Sequence, residues 1–185
     1  MLLAWSAGCR TKPAATADGP PALLARAEVA LDALEKRDMA RFATSVHPRE
    51  GVRFSPSAFV RADSDRVFTR QQAASLWNDP REYAWGVGNG SGQLIQATFP
   101  RYYARFVFDH DYTRAPLRVA NAPVRSGNTP SNIATAYRGA EWVEFRFPGF
   151  EPRFEGMDWA SLWLVLRRQG DEWFIVGVVH GSWSI

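Results

Sequence analysis

The chain has 185 residues, 46% of them apolar and 14% aromatic, with 22 basic and 19 acidic side chains. That length suits one domain with a sizeable core. The net charge of +3 is dispersed and forms no Lys/Arg run, so no stripe is available to track phosphates and nucleic acid is not an expected partner. Cys9 is the only cysteine, which excludes an intrachain disulfide.

Residues 1–9 are apolar and end in Ala7-Gly8-Cys9. Small residues before a cysteine are what the narrow pocket of a lipoprotein signal peptidase needs, and the freed thiol is then lipidated. Ser6 stands where Leu is usual. The apolar run is shorter than the roughly 7–15 residues of a complete signal core, so it reads as the end of a longer signal segment. Residues 10–21, rich in Thr, Ala, Gly and Pro, cannot bury enough surface to order themselves and read as a flexible tether. Residues 22–185 form the expected single domain. No segment has the length of a membrane span. These features predict a lipoprotein of the cell envelope, held on the periplasmic side, at the outer membrane, by lipid on Cys9.

From Pro21 to about Val46, apolar residues at 23, 24, 27, 30, 31 and 34 mark one helical stripe. Asp38 is placed to cap a second short helix carrying Met39, Phe42 and Val46, which His47-Pro48 ends. Gly51-Val52-Arg53-Phe54-Ser55-Pro56 alternates as a strand does. Thr69 is placed to cap a helix running to about Trp77. Tyr83 to Val87 leads into the glycine-rich turn 88–92. Segment 101–108 is ambiguous, with Pro100 favouring helix. Residues 142–147 alternate strictly, and 161–168 and 172–180 flank the turn Gln169-Gly170-Asp171. Helices first and strands last predict an α+β fold.

Three histidines, His47, His110 and His180, sit at element ends. Their spacing matches no metal motif, and neither a metal nor another cofactor is expected. In Asp109-His110-Asp111, neighbours on an extended chain point to opposite faces, so only one Asp can share a face with a partner. Asp158, between Met157 and Trp159, needs donors if buried, unless it caps a turn. Parity leaves open which side of the sheet Glu144 faces. Residues 86–92 have alternating glycines but lack the strand, helix start and acidic residue of a dinucleotide site. No Gly-x-Ser-x-Gly elbow occurs.

As a set, several motifs resemble a family of uncharacterised bacterial secreted lipoproteins, across about residues 31–185. They are His47-Pro48 with residues 51–56, Trp85-Gly86 with Gly90-Ser91-Gly92, Phe106-Val107-Phe108-Asp109, Gly127-Asn128-Thr129 with Asn132, Gly156-Met157-Asp158-Trp159, and Trp173 with residues 176–177 and 180–185. The resemblance implies no catalytic role. The order of elements is also similar to the NTF2-like, cystatin-like cone. That likeness implies N-terminal helices packed on a curved antiparallel sheet, closed by a C-terminal β-hairpin.

Together these readings predict binding rather than catalysis, in a concave aromatic pocket for a small molecule. The candidate ligand-binding residues are His47, Arg53, Ser55, Asp109, Asp158, His180 and Trp183. Arg53 is expected to clamp an anion, and His180 with Asp158 to orient it. One alternative is a hydrolase using a His–Asp pair, which needs His180 or His47 beside a carboxylate in a cleft. Another is an envelope interaction module with an exposed aromatic patch. Oligomeric state is not legible.

Overall fold

The computed structural model describes residues 21–88, 91–122 and 130–183. The lipidation site Cys9, signal segment 1–9, tether residues 10–20, part of the glycine turn (89–90), the motif 127–129 and residues 184–185 lie outside them.

The chain is α+β. Helix α1 (Pro21–Glu35) buries Leu23, Ala27, Ala30, Leu31, Ala33 and Leu34, and its small residues let the helix lie close to the sheet. The Asp38 carboxylate accepts from the Arg41 amide at 2.9 Å and so starts α2 (Met39–Ser45). Thr69 and Gln72 form a reciprocal capping box for α3 (Arg70–Ser75). The ambiguous segment is helix α4 (Phe99–Phe106). Phe99, Tyr102, Tyr103 and Phe106 recur at helical spacing and outweigh the strand propensity of the individual aromatics.

Six strands form one sheet, in the order β2-β1-β8-β7-β6-β5. They are β1 (Val52–Ser55), β2 (Arg66–Phe68), β5 (Leu117–Ala120), β6 (Glu141–Phe147), β7 (Ala160–Gln169) and β8 (Glu172–Ser182). β7 and β8 are antiparallel neighbours across the 170–171 turn. β1 runs parallel to β8, pairing Arg53 with Gly177 and Ser55 with Val179. The sheet is therefore mixed, which corrects the expected all-antiparallel sheet: the chain leaves β1 early, builds the other strands, and returns to β1's free side with its last strand. β3 (Tyr83–Val87) and β4 (Leu94–Ala97) form a separate ribbon. Strands β2, β4 and β5 and the helix α5 (Ile133–Ala136) have three or four residues each, too few to show a period in the sequence.

The sheet buries both faces. On the helix face, Val52, Phe54, Val143, Phe145, Leu162, Leu164 and Val178 pack with α1, α2, α4 and the ribbon. On the other face, Trp163, Val165, Val176 and Val179 pack with Ala58, Val60, Trp159 and Tyr137. This explains why β7 and β8 read as continuous apolar runs. Phe54 is the hub of the first cluster, with Phe42, Phe68, Trp85, Phe99 and Tyr102 centred 5.6–6.4 Å away. Trp85 stacks on Tyr102 at 4.0 Å and donates its indole N–H to the Ala97 carbonyl at 2.8 Å, which fastens the ribbon to α4.

Phe54→Ala should cost about 3–5 kcal/mol in chemical denaturation, the scale of a buried Phe truncation. Val67→Ala, at an exposed site on the adjoining strand, should cost under about 0.5 kcal/mol. Equal losses would remove Phe54 from its central place.

Candidate functional site

A cavity of about 360 Å³ opens where β1 and β8 end side by side. Its floor is His180, Gly181 and Ser182 of β8. Pro56, Ser57 and Ala58, which follow β1, form one wall, and Trp159 flanks it. The ribbon supplies Gly88, Ser91, Gln93, Leu94, Ile95 and Gln96, and α4 supplies Arg105 and Phe106. Gly181 permits the floor: a Cβ there would lie 2.4 Å from the Trp163 ring.

His180 is 4% exposed. Register places it opposite Leu162, on the helix face, where it meets the Phe106 ring edge-on at 5.6 Å. Its Nε2 lies 3.1 Å from Asp109 Oδ2, and its Nδ1 lies 3.3 Å from the Pro56 carbonyl oxygen. Both neighbours are oxygen acceptors. In any protonation state both nitrogens are directed at protein atoms.

Asp109 follows α4 and gathers donors. Oδ2 also lies 3.0 Å from His110 Nδ1, and Oδ1 accepts from the Tyr112 hydroxyl at 2.9 Å. Burial raises its carboxyl, but the bonds from His180 and Tyr112 and the charge of His110 outweigh burial and hold it below the ordinary range. The same carboxylate, with burial, pushes the Tyr112 hydroxyl up. His110 stacks on Phe150 at 4.5 Å. Asp111 instead caps its own turn through Thr113, so of the two aspartates flanking His110 one joins the network, half-buried, and one is local.

The candidate residues do not converge on this cavity. His180 lines it, and Asp109 stands behind His180. Arg53 faces a smaller cavity of about 160 Å³ with Tyr137 and Arg167. Its Nη1 donates to the carbonyls of Ala62 and Asp65 at 3.1 and 2.9 Å, which fastens a loop. Ser55 is buried beside Asp65 and Tyr137. Burial raises the Asp65 carboxyl, against the pull of Ser55, the Arg61 amide and Arg53. His47 Nδ1 accepts from the amides of Arg49 and Glu50 at 3.3 and 3.0 Å, and its ring meets Phe174 edge-on. Burial leads the lowering of its pKa, with Arg49, Arg70 and Arg167 adding and Glu50 opposing. Asp158 accepts from the Glu151 amide at 2.7 Å. That turn contact holds the carboxylate within the 148–158 loop, and Asp158 does not line the His180 cavity. Trp183 is 36% exposed at the chain's edge, its amide 3.4 Å from the Trp159 carbonyl.

Glu144 faces the second side of the sheet, buried, accepting from the Ser161 hydroxyl at 2.7 Å and Arg146 at 3.3 Å. Arg146 lies over the Trp159 ring, 4.8 Å from its centre. This pair supports the cavity's aromatic wall from behind. Among the described residues no three His, Cys, Asp or Glu side chains group as metal ligands, and no helix is long and apolar enough to cross a membrane.

Sequence reasoning missed Arg105, Phe106, Trp159 and the ribbon. Only the helical spacing of 99, 102, 103 and 106 could have brought α4 forward.

Asp109→Asn should lower stability by about 2 kcal/mol near neutral pH, the scale of hydrogen bonds to a charged group. The folded carboxyl titrates below its ordinary value of 3.8. Its contribution is therefore fully present above that value and is lost as pH falls through the folded one. In chemical denaturation the gap between wild type and variant should close below pH 3.8; a gap that does not change with pH would take the carboxylate's charge out of the account. No family model, curated protein or solved structure matches the chain.

Proposed function

We propose that this domain binds a small organic molecule in the cavity at the ends of β1 and β8. The observation that carries the reading is the fixed His180 ring in the wall of a cavity of about 360 Å³, a size within the range of ligand sites. The lining mixes apolar surface, from Leu94, Ile95, Phe106 and Trp159, with a few hydroxyl, amide and guanidinium groups.

The hydrolytic alternative gains from the 3.1 Å His180–Asp109 contact. A general base, however, needs a nitrogen lone pair aimed at substrate or water. Both nitrogens of His180 are engaged by protein, which favours binding. The interaction-module alternative gains from exposed Phe150, Phe154 and Met157 on the 148–158 loop. These three residues do not line the cavity.

The strand order, the parallel β1–β8 pair and the packing of α1 to α4 on one face support an NTF2-like, cystatin-like cone with the ligand held between sheet and helices. The resemblance in residues 31–185 supports membership of the secreted lipoprotein family. Ala7-Gly8-Cys9 and the Thr/Ala/Gly/Pro segment support anchoring through Cys9 in the cell envelope, on the periplasmic side of the outer membrane.

Gln96 is exposed on β4 and lines the cavity. Gln96→Trp should fill the cavity at little cost in stability. In thermal-shift screening of a metabolite panel, wild type should gain several degrees with its ligand and the variant should gain none. Equal shifts in both proteins would move the ligand elsewhere. For the anchor, Cys9→Ala should move the protein from the membrane fraction to the soluble one; unchanged fractionation would end the lipoprotein reading.

A further inference from the structure

The cavity's polar groups are unequally distributed by charge. No Asp or Glu lines it among the described residues, although the chain carries 19 acidic side chains. Its full cation is Arg105, in the last turn of α4. Most of the described arginines are tied to carboxylates or carbonyls: Arg26, Arg41, Arg53, Arg70, Arg81, Arg101, Arg118, Arg146, Arg153, Arg167 and Arg168 all have such partners. Arg105 has no carboxylate partner among the described residues. Its guanidinium lies over the Phe106 ring, 4.9 Å from the centre. A guanidinium carries five N–H donors, which can meet an oxyanion in a two-pronged contact.

A second observation is independent. Trp159 is 3% exposed and lines the cavity, and its indole Nε1 has no hydrogen-bond acceptor among the described residues. Indole N–H is a donor only, and a buried donor without an acceptor is costly. The nearby carboxylate, Asp109, is already engaged by His180, His110 and Tyr112. The site thus offers donors and keeps its own carboxylate occupied.

We infer that the ligand is a small organic oxyanion, a carboxylate or phosphate on an apolar body. Arg105 receives the anion, and Leu94, Ile95, Phe106 and the Trp159 ring pack on the body. This rests on the binding function proposed above and names its ligand class. An amine of the same size finds no carboxylate to pair with, and an alcohol leaves Arg105 unpaired.

The test is isothermal titration of the full chain with phenylacetate, 2-phenylethanol and 2-phenylethylamine, which share a ring and differ in charge. Phenylacetate should bind at least tenfold more tightly than either other probe. Arg105→Gln should abolish that preference while leaving 2-phenylethanol unchanged, and Arg105→Lys should restore part of it. Phenyl phosphate in a parallel titration separates a phosphate ligand from a carboxylate one. An alcohol or amine that binds as well as phenylacetate, or a preference that survives Arg105→Gln, would overturn the anion assignment and leave the pocket standing. No binding by any probe to wild type, together with no thermal shift across the metabolite panel, would overturn both.

Discussion

The parallel pairing of β8 with β1 is the constraint on which the rest of the structure depends. It puts the last strand at the centre of the sheet, with β1 on one side and β7 on the other. Both faces of β8 are then covered, so its interior must be apolar on both sides, as Val176 to Val179 are. The pairing also fixes where β8 ends. Ser55 stands opposite Val179, so His180 emerges beside Pro56, at the point where β1 turns away. The cavity exists because two parallel strands finish together and the chain following β1 bends off to form a wall.

A side chain at such a point is free to move unless something holds it. Asp109 supplies the hold from the far end of α4, and the Pro56 carbonyl supplies it from the wall. The three contacts on Asp109 tie β8, the turn after α4 and the Tyr112 turn to one carboxylate. α4 is itself placed by the aromatic cluster around Phe54 and by the Trp85–Tyr102 stack. The core and the site are therefore parts of one arrangement: rings fix α4, α4 fixes Asp109, and Asp109 fixes His180. On the opposite face the Glu144–Ser161–Arg146 group holds Trp159 in the second wall.

Much of the fold was legible because its signals are local. The Asp38 and Thr69 caps, the apolar stripe of α1 and the long strands β6 to β8 each follow from residues near one another in sequence. The mixed sheet was not legible, since a strand's own residues do not say which neighbour it joins across 120 positions. The site divides in the same way. His180 stood out because a polar ring follows a buried run. Asp158 was expected to orient a ligand together with His180, but Asp109 and Asp158 both sit beside aromatics, and only the fold brings one of them, Asp109, against the ring. Arg53 looked like an anion clamp because it is a cation on a buried strand. Its Nη1 holds the carbonyls of Ala62 and Asp65, a loop contact with no sequence signature, and it faces the smaller cavity. Arg105 was hidden in a helix that the sequence left ambiguous.

The central claim is that the chemistry of this domain lies in the cavity where β1 and β8 end, with the His180 ring as a fixed part of its wall. Amide and indole chemical-shift mapping during a phenylacetate titration tests it most directly. The account predicts shifts concentrated at Ser57, Ile95, Gln96, Gly181 and the Trp159 indole. Shifts concentrated instead around Arg53, Tyr137 and Arg167, where the smaller cavity lies, would contradict it.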